Sequence, residues 1–344
     1  MGFRNDLNAP LPGEFSADPH AIGALPVLVI HAHTSCNCRC AMCDIWKTPE
    51  SKSFGLAELR RQLDSLRALN VRWVAFSGGE PLLNPELFAM CALLRAENIR
   101  LTLLTTGLLL KKLAPQIAEH FDDVIVSLDG PPAIHNAVRR VEGAFALIES
   151  GIAAVRREHP AMAVSARCTV QKANHAHLRE TALAAKSIGC DRISFLAADL
   201  TSTAFNRPLI WPADRQNEIA LSLPEIAVLE SEIDALIVDP QAELGRGFVA
   251  ESPEKLRRIA RHFRAHLGLL PARAPICNAP WVSAVVETDG SVRPCFFHPV
   301  VGNLQKESLQ EIVNSSAARA FRANLDVAAN PVCRNCVCSL NYRA

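Results

Sequence analysis

No stretch of the 344-residue chain approaches the roughly 20 consecutive apolar residues that a membrane helix needs. The opening segment, MGFRNDLNAPLPGEF, lacks the apolar centre of a secretory signal. No Lys/Arg block stands out, and the formal net charge is only +1, so nothing offers a phosphate backbone a matching surface. Nor is there an internal repeat or a low-complexity tract. These absences point to a cytoplasmic protein with neither a membrane nor a nucleic acid as partner. They also bear on its 12 cysteines. A reducing compartment disfavours disulfides, and clustering near the two ends of the chain makes metal the better account.

The chain is 49% hydrophobic and 21% charged, enough apolar material for a sizeable core. Its length exceeds what one core usually organises, so one large domain and a smaller one are expected. Residues 26–33 form an apolar strand. Leucines at 56, 59, 63, 66 and 69 then make a helical stripe. RWVAFSGG is a strand, and a helix follows over 84–98 with Asn84 as N-cap and Pro85 at its first position. Strands over 99–107, 123–130, 162–170 and 192–199 alternate with helices over 108–119, 143–158 and 175–188. Six short apolar strands alternating with helices predict parallel βα units with right-handed crossovers. The fold expected is α/β, a partial (β/α)6 barrel over 26–200 behind an N-terminal extension (1–25). Residues 201–275 read as a helical linker region with a polar stretch, DPQAELGRG. Residues 276–344 read as a small C-terminal domain whose hairpin turns at Asp289-Gly290.

In such a fold the chemistry sits at the C-terminal ends of the strands. HTSCNCRCAMCDIWK lies just past the first strand and holds Cys36, Cys38, Cys40 and Cys43. Cys36, Cys40 and Cys43 form C-x3-C-x2-C. A structural zinc site closes with four ligands, and no usual second half lies nearby. His31 and His33, at a strand end, read as hydrogen-bonded structural groups. A four-iron cluster held by three thiolates keeps one iron open for a small-molecule chelate.

The pattern resembles the radical S-adenosylmethionine (SAM) family, and the likeness runs from about residue 26 to the C-terminus. SGGEP (77–81) ends the second strand, where the family's turn holds the methionine amino group of SAM; this implies Gly78, Gly79 and Glu80 as cofactor-binding. Glycine there lets backbone approach a ligand closely. VSLDGP (126–131) ends the fourth strand and implies Ser127 and Asp129 as contacts to the methionyl and ribose groups. HNAVRRVEGAF (135–145) is similar to the family's next segment. The family usually has an aromatic residue before its third cysteine; here Met42 offers a polarizable thioether instead. Cys38 reads as a spare loop thiol. Cys91 reads as core, and Cys190 carries no functional signal. On the fifth strand, Arg167, Thr169 and Gln171 are expected to face the lumen, which turns Cys168 outward into packing.

Near the other end, Cys277, Cys295, Cys333, Cys336 and Cys338 form a second group. Without the family, these residues suit a four-thiolate zinc or iron–sulfur site. With it, C-x12-G-x4-C followed by C-x2-C resembles the SPASM and twitch auxiliary-cluster modules. The shorter twitch-like form fits best, with one auxiliary [4Fe-4S] cluster held by Cys277, Cys295, Cys333 and Cys336, and Cys338 spare. The resemblance implies a SAM-binding [4Fe-4S] cluster, SAM, and an electron donor such as flavodoxin or ferredoxin. A 5′-deoxyadenosyl radical would then remove a hydrogen atom from a substrate, with the auxiliary cluster as electron acceptor. Three readings follow. The first is oxidation or rearrangement of a small biosynthetic metabolite, for example a sugar-like alcohol; only about 25 residues precede the barrel, too few for a folded peptide-binding domain. The second is maturation of a ribosomally made peptide. The third, a non-catalytic two-cluster electron carrier, leaves the GGEP and SLDG turns unexplained.

Overall fold

The computed structural model describes residues 18, 20–240 and 247–342. Six strands, β1 (Val27–His33), β2 (Trp73–Gly78), β3 (Arg100–Thr105), β4 (Asp123–Ser127), β5 (Ala163–Val170) and β6 (Arg192–Ala197), lie side by side in chain order, all parallel. This is the partial barrel the periodicity predicts. Its strands are apolar because helices cover their outer face: Leu28 and Ile30 on β1 are 2% and 0% exposed. Burying each such side chain contributes about 1.5–3 kcal/mol.

The C-terminal hairpin belongs to the same sheet. β7 (Ser283–Val286) pairs parallel to β1 from Val27↔Ser283 to Ile30↔Val286, and β8 (Ser291–Arg293) and β9 (Gly302–Asn303) continue antiparallel beyond it. The turn carries Gly290 at φ +83°, a backbone conformation that glycine adopts without strain. At the opposite edge, residues 248–250 add a short parallel bridge to β6 at Ile193↔Val249.

Three helices differ from their sequence pattern. The leucine stripe breaks at Gln62 into Leu56–Arg61 and Leu63–Ala68, where buried Gln62 Oε1 accepts from Leu309 N at 2.8 Å. The helix expected over 108–119 starts only at Ala114, after turns that follow Gly107. Asn84 Oδ1 accepts from Glu86 N at 2.9 Å, so it caps a turn, and the regular helix begins at Leu87. The linker region holds the helices Ala213–Asn217, Leu223–Val238 and Pro253–His266; most of the polar stretch between the last two lies outside the described residues.

Candidate active site and auxiliary cysteine site

The loop after β1 is held by backbone before any side chain acts. Gly79 N donates to His33 O and Glu80 N to Ser35 O, both at 2.9 Å. A Cβ on Gly79 would overlap Ser35 O, and one on Gly78, at φ +110°, would sit 2.9 Å from His33 O. The closest approach that these glycines permit is therefore the protein's own cysteine loop, packed onto the end of β2. Glu80 locks the turn from behind. Its carboxylate is fully buried and accepts from Leu82 N, Thr105 Oγ1, Thr106 N and Thr106 Oγ1 at 2.7–3.1 Å. Burial pushes its pKa up, against these four donor groups. These bonds tie the side chain to the ends of β2 and β3 and fix the shape of the turn.

Asp129, after β4, is likewise wholly buried. Its Oδ1 accepts from Thr169 N at 2.9 Å, and its Oδ2 lies 2.5 Å from Arg139 Nη2, a close charge pair. The resemblance gives Asp129 a cofactor contact; in the structure its carboxylate is the counter-ion of Arg139. Arg139 in turn donates from Nη1 to Cys40 Sγ at 3.5 Å. Burial works against the arginine's charge, but Asp129 and Cys40 hold it on. Ser127, the last residue of β4, is half-buried and stands in register with Arg167 of β5.

The four clustered thiols behave differently from one another. Cys38 is 1% exposed and sits between Cys36 and Cys40 in the chain, its backbone N donating to Cys36 Sγ at 3.5 Å. Hydrogen bonding with Cys38, ahead of the opposing effect of burial, lowers the pKa of Cys36 and brings Cys40 to about 6, where Arg139 adds to the shift. Burial instead pushes Cys43 up to about 12. Cys38 is thus a loop thiol packed into the core. Among the described residues no three His, Cys, Asp or Glu side chains converge as a single metal ion requires. The donor chemistry nevertheless fits an iron–sulfur cluster: three sulfurs at C-x3-C-x2-C spacing, two of them with lowered pKa, beside a buried cation. The thiolate is the ligating form.

A second clamp comes from the segment after β6. Arg207, 3% exposed, donates to Asp199 Oδ2 at 2.6 Å and to Met42 O at 3.2 Å, and its guanidinium lies 3.6 Å from the Trp211 ring centroid. Trp211 Nε1 donates to Asp44 Oδ2 at 2.7 Å, and Arg215 donates to Ala41 O. Phe205 and Asn206 both adopt φ +60°, a strained pair that sets the Phe205 ring 4.9 Å from Phe296 of the C-terminal region. Between this segment, the cysteine loop and the β7–β8 hairpin lies a cavity of about 1280 Å3. Gly78 and Gly79 line it, as do Phe205, Phe296 and Phe297. His31 lines it too, with Nδ1 2.7 Å from Glu287 Oε2; Arg293 holds the other carboxylate oxygen at 3.0 Å.

The second cysteine group is assembled from distant segments. Asn278 N donates to Leu340 O, its Nδ2 donates to Tyr342 O, and its Oδ1 accepts from Tyr342 N, all at 2.7–2.9 Å; these bonds bring Cys277 beside the tail. Asn330 Oδ1 caps the turn that carries Cys333, and Cys336 N closes onto Cys333 O at 3.1 Å. Burial first, then the neighbouring sulfurs, raises the pKa of Cys295 (to about 12), Cys333 and Cys336; Cys277 acts on all three. His298 Nε2 is in hydrogen-bonding contact with Cys333 Sγ at 3.3 Å. Cys338 is exposed, and its carbonyl accepts from Cys336 Sγ at 3.3 Å. The donor set again fits a thiolate-held cluster.

Of the cysteines read as structural, Cys91 and Cys168 are buried, and Cys168 accepts from Asn174 Nδ2 at 3.6 Å. On β5, Ala166, Cys168 and Val170 are buried and Arg167 and Thr169 half-buried, so the two sets lie on opposite faces of the sheet; Gln171, past the strand end, is buried. Sequence reasoning gave no role to Arg139, Arg207, Trp211, Glu287 or His298. Only Arg139 had a signal, its place in the HNAVRRVEGAF segment.

A model of the radical SAM superfamily matches residues 31–185, and a model of SPASM, an iron–sulfur cluster-binding domain, matches 277–337. The chain is 30% identical over 174 residues to the pre-heme d1 synthase of Dinoroseobacter shibae, covering 48% of this chain and 42% of that protein. It is 22% identical over 291 residues to the antilisterial bacteriocin subtilosin biosynthesis protein AlbA of Bacillus subtilis, covering 81% and 57%. It is 28% identical over 306 residues to the AdoMet-dependent heme synthase of Methanosarcina barkeri, covering 83% and 81%. The chain thus spans about half the length of the first two relatives, 42% and 57%. Among solved structures, Streptococcus suis SuiB bound to precursor peptide SuiA superposes with a TM-score of 0.65 at 14% identity, over 93% of this chain and 73% of that one. That likeness speaks for the fold. Among the described residues no helix is long and apolar enough to cross a membrane. The family's cofactors are SAM and the [4Fe-4S] cluster that binds it, and SPASM domains add auxiliary iron–sulfur clusters. With the cysteine loop, the GGEP turn and the C-terminal cysteine group all in place, the chain belongs to the radical SAM superfamily and carries a SPASM domain.

Proposed function

We propose that this chain is a radical SAM enzyme that abstracts a hydrogen atom from a biosynthetic metabolite and oxidises or rearranges it, the substrate class being a tetrapyrrole. The observation that carries this reading is the cavity of about 1280 Å3, floored by Gly78 and Gly79 and walled by Phe205, Phe296 and Phe297. It exceeds the roughly 300–1,000 Å3 of ordinary small-ligand pockets, and its wall suits a large planar substrate. The names of two relatives, a pre-heme d1 synthase and a heme synthase, support the same class. When bound, the reduced cluster and SAM supply a 5′-deoxyadenosyl radical, and the auxiliary cluster supplies a one-electron acceptor.

The residues divide that work. Cys36, Cys40 and Cys43 hold the first cluster; Gly78, Gly79 and Ser127 offer backbone and hydroxyl to SAM. Glu80 and Asp129 fix those turns from behind. Arg207, Trp211 and Asp44 hold the cysteine loop against the cavity and keep water out of its base. Cys277, Cys295, Cys333 and Cys336 hold the auxiliary cluster. A flavodoxin- or ferredoxin-like donor supplies the electron.

The test uses anaerobically reconstituted protein with reductant, SAM and iron coproporphyrin III as probe. We expect the probe to bind and to raise 5′-deoxyadenosine formation, and the C36A/C40A/C43A variant to form none. A tetrapyrrole that neither binds nor changes the rate would overturn the substrate class. A second reading, peptide maturation, is favoured by Leu209 and Ile210, 77% and 54% exposed at the cavity wall, where an extended chain could lie. The similarity to AlbA supports it. Stimulation by a cysteine-containing peptide but not by the tetrapyrrole would select it.

A further inference from the structure

The helix Pro253–His266 turns one arginine toward the auxiliary cysteines. Arg258 is half-buried, donates from Nη2 to Cys336 O at 2.6 Å, and lines a small cavity together with Cys336 and Cys338. Two other arginines of the same helix have carboxylates, Arg257 with Asp234 at 2.8 Å and Arg264 with Glu230 at 2.7 Å, while Arg261 is exposed to solvent. Arg258 has none among the described residues. Glu251 lines the same small cavity but accepts from Ser194 Oγ at 2.7 Å and Phe195 N at 2.9 Å. A half-buried guanidinium with one carbonyl partner is a poor arrangement unless a negative group stands beside it.

A four-iron cluster bound by four thiolates is such a group. Its net charge is negative and becomes more so with each electron added, so a fixed cation nearby stabilises the reduced state more than the oxidised one. We propose that Arg258 is the electrostatic partner of the auxiliary cluster and sets the potential at which that cluster accepts an electron. The proposal rests on the four-cysteine reading above. It gives the linker helix a role in the redox chemistry: the barrel-side helix, rather than the C-terminal domain, poises the acceptor.

The C36A/C40A/C43A full-length protein, which retains only auxiliary iron, isolates the effect. Its midpoint potential is measured anaerobically by electron paramagnetic resonance with Arg258, R258K and R258Q. We expect R258Q to shift to a more negative potential with unchanged iron content, and R258K, which keeps the charge, to stay close to the parent. Equal midpoints for R258Q and the parent would overturn the proposal, as would loss of iron from both variants, which would make Arg258 a structural brace. Absence of iron from the parent itself would overturn the four-cysteine reading, and this inference with it; that result is distinct from an unmoved potential.

Discussion

The two cysteine groups solve one problem in opposite ways. The first places Cys36, Cys40 and Cys43 within eight residues on one loop, then wires that loop to buried charge: Cys40 to Arg139, Arg139 to Asp129, Met42 to Arg207. The second gathers sulfurs from a helix entry, a hairpin and a tail, each half-buried, with backbone bonds from Asn278 and Asn330 as its frame. A local motif needs tertiary structure to protect it, whereas a dispersed one needs tertiary structure to exist. The first site therefore stands or falls with its ion network, and the second with the metal that closes it.

The largest effect should come from breaking that network. Replacing Arg139 with Met strands a fully buried Asp129, at a cost of about 3–5 kcal/mol. D129N should cost less, because the amide can still accept from Thr169 N. Chemical denaturation of both variants checks this; equal, small losses would place the two regions on one footing. Next comes metal content. Whole protein should carry about eight irons. C336A should lower that number toward four, and C338A should leave it unchanged, because Cys338 is exposed and offers its carbonyl rather than its sulfur to Cys336. Iron lost with Cys338 but kept without Cys336 would exchange their roles.

The smallest effect is on pH dependence, and it touches both regions. Burial lowers the pKa of His135 to about 3 and of His262 to about 4. Each stays neutral in the fold, while the unfolded chain takes up a proton below about pH 6.5. Their stabilising contribution is therefore whole above that value and falls as pH drops, until the folded pKa is reached. Between pH 7 and pH 6 the loss is about 0.7 kcal/mol for each histidine. Denaturation midpoints at the two pH values should show about half that dependence removed in H135N and the rest in H262N. A slope unchanged in H135N would show that the first region does not govern acid stability.

How far the sequence carries depends on what kind of contact is involved. The six βα units are legible because each strand is a short apolar run between polar punctuation, and the GGEP and SLDG turns fall at strand ends as expected. The helix break at Gln62 is not legible, because its cause is a hydrogen bond to Leu309, 247 residues away. Side-chain destinations hide in the same way. The bonds of Glu80 to Thr105 and Thr106 leave no mark in the GGEP pattern; Arg139 and Arg207 look like ordinary cations and prove to be buried anchors. Periodicity reports which face is apolar. It does not report which polar partner waits on the other side.

The pairing of β7 with β1 has a consequence in time. β1 is an apolar strand with β2 on one side, and its other edge is sealed only by residues made about 256 positions later, the separation of Val27 from Ser283 and of His31 from Glu287. At about 5–20 residues per second, ribosomal synthesis leaves that edge uncovered for roughly 13–50 s. An open apolar strand is a template for pairing with other chains. The nascent protein thus carries an aggregation-prone edge at the start of its barrel until the hairpin that closes the sheet has been made.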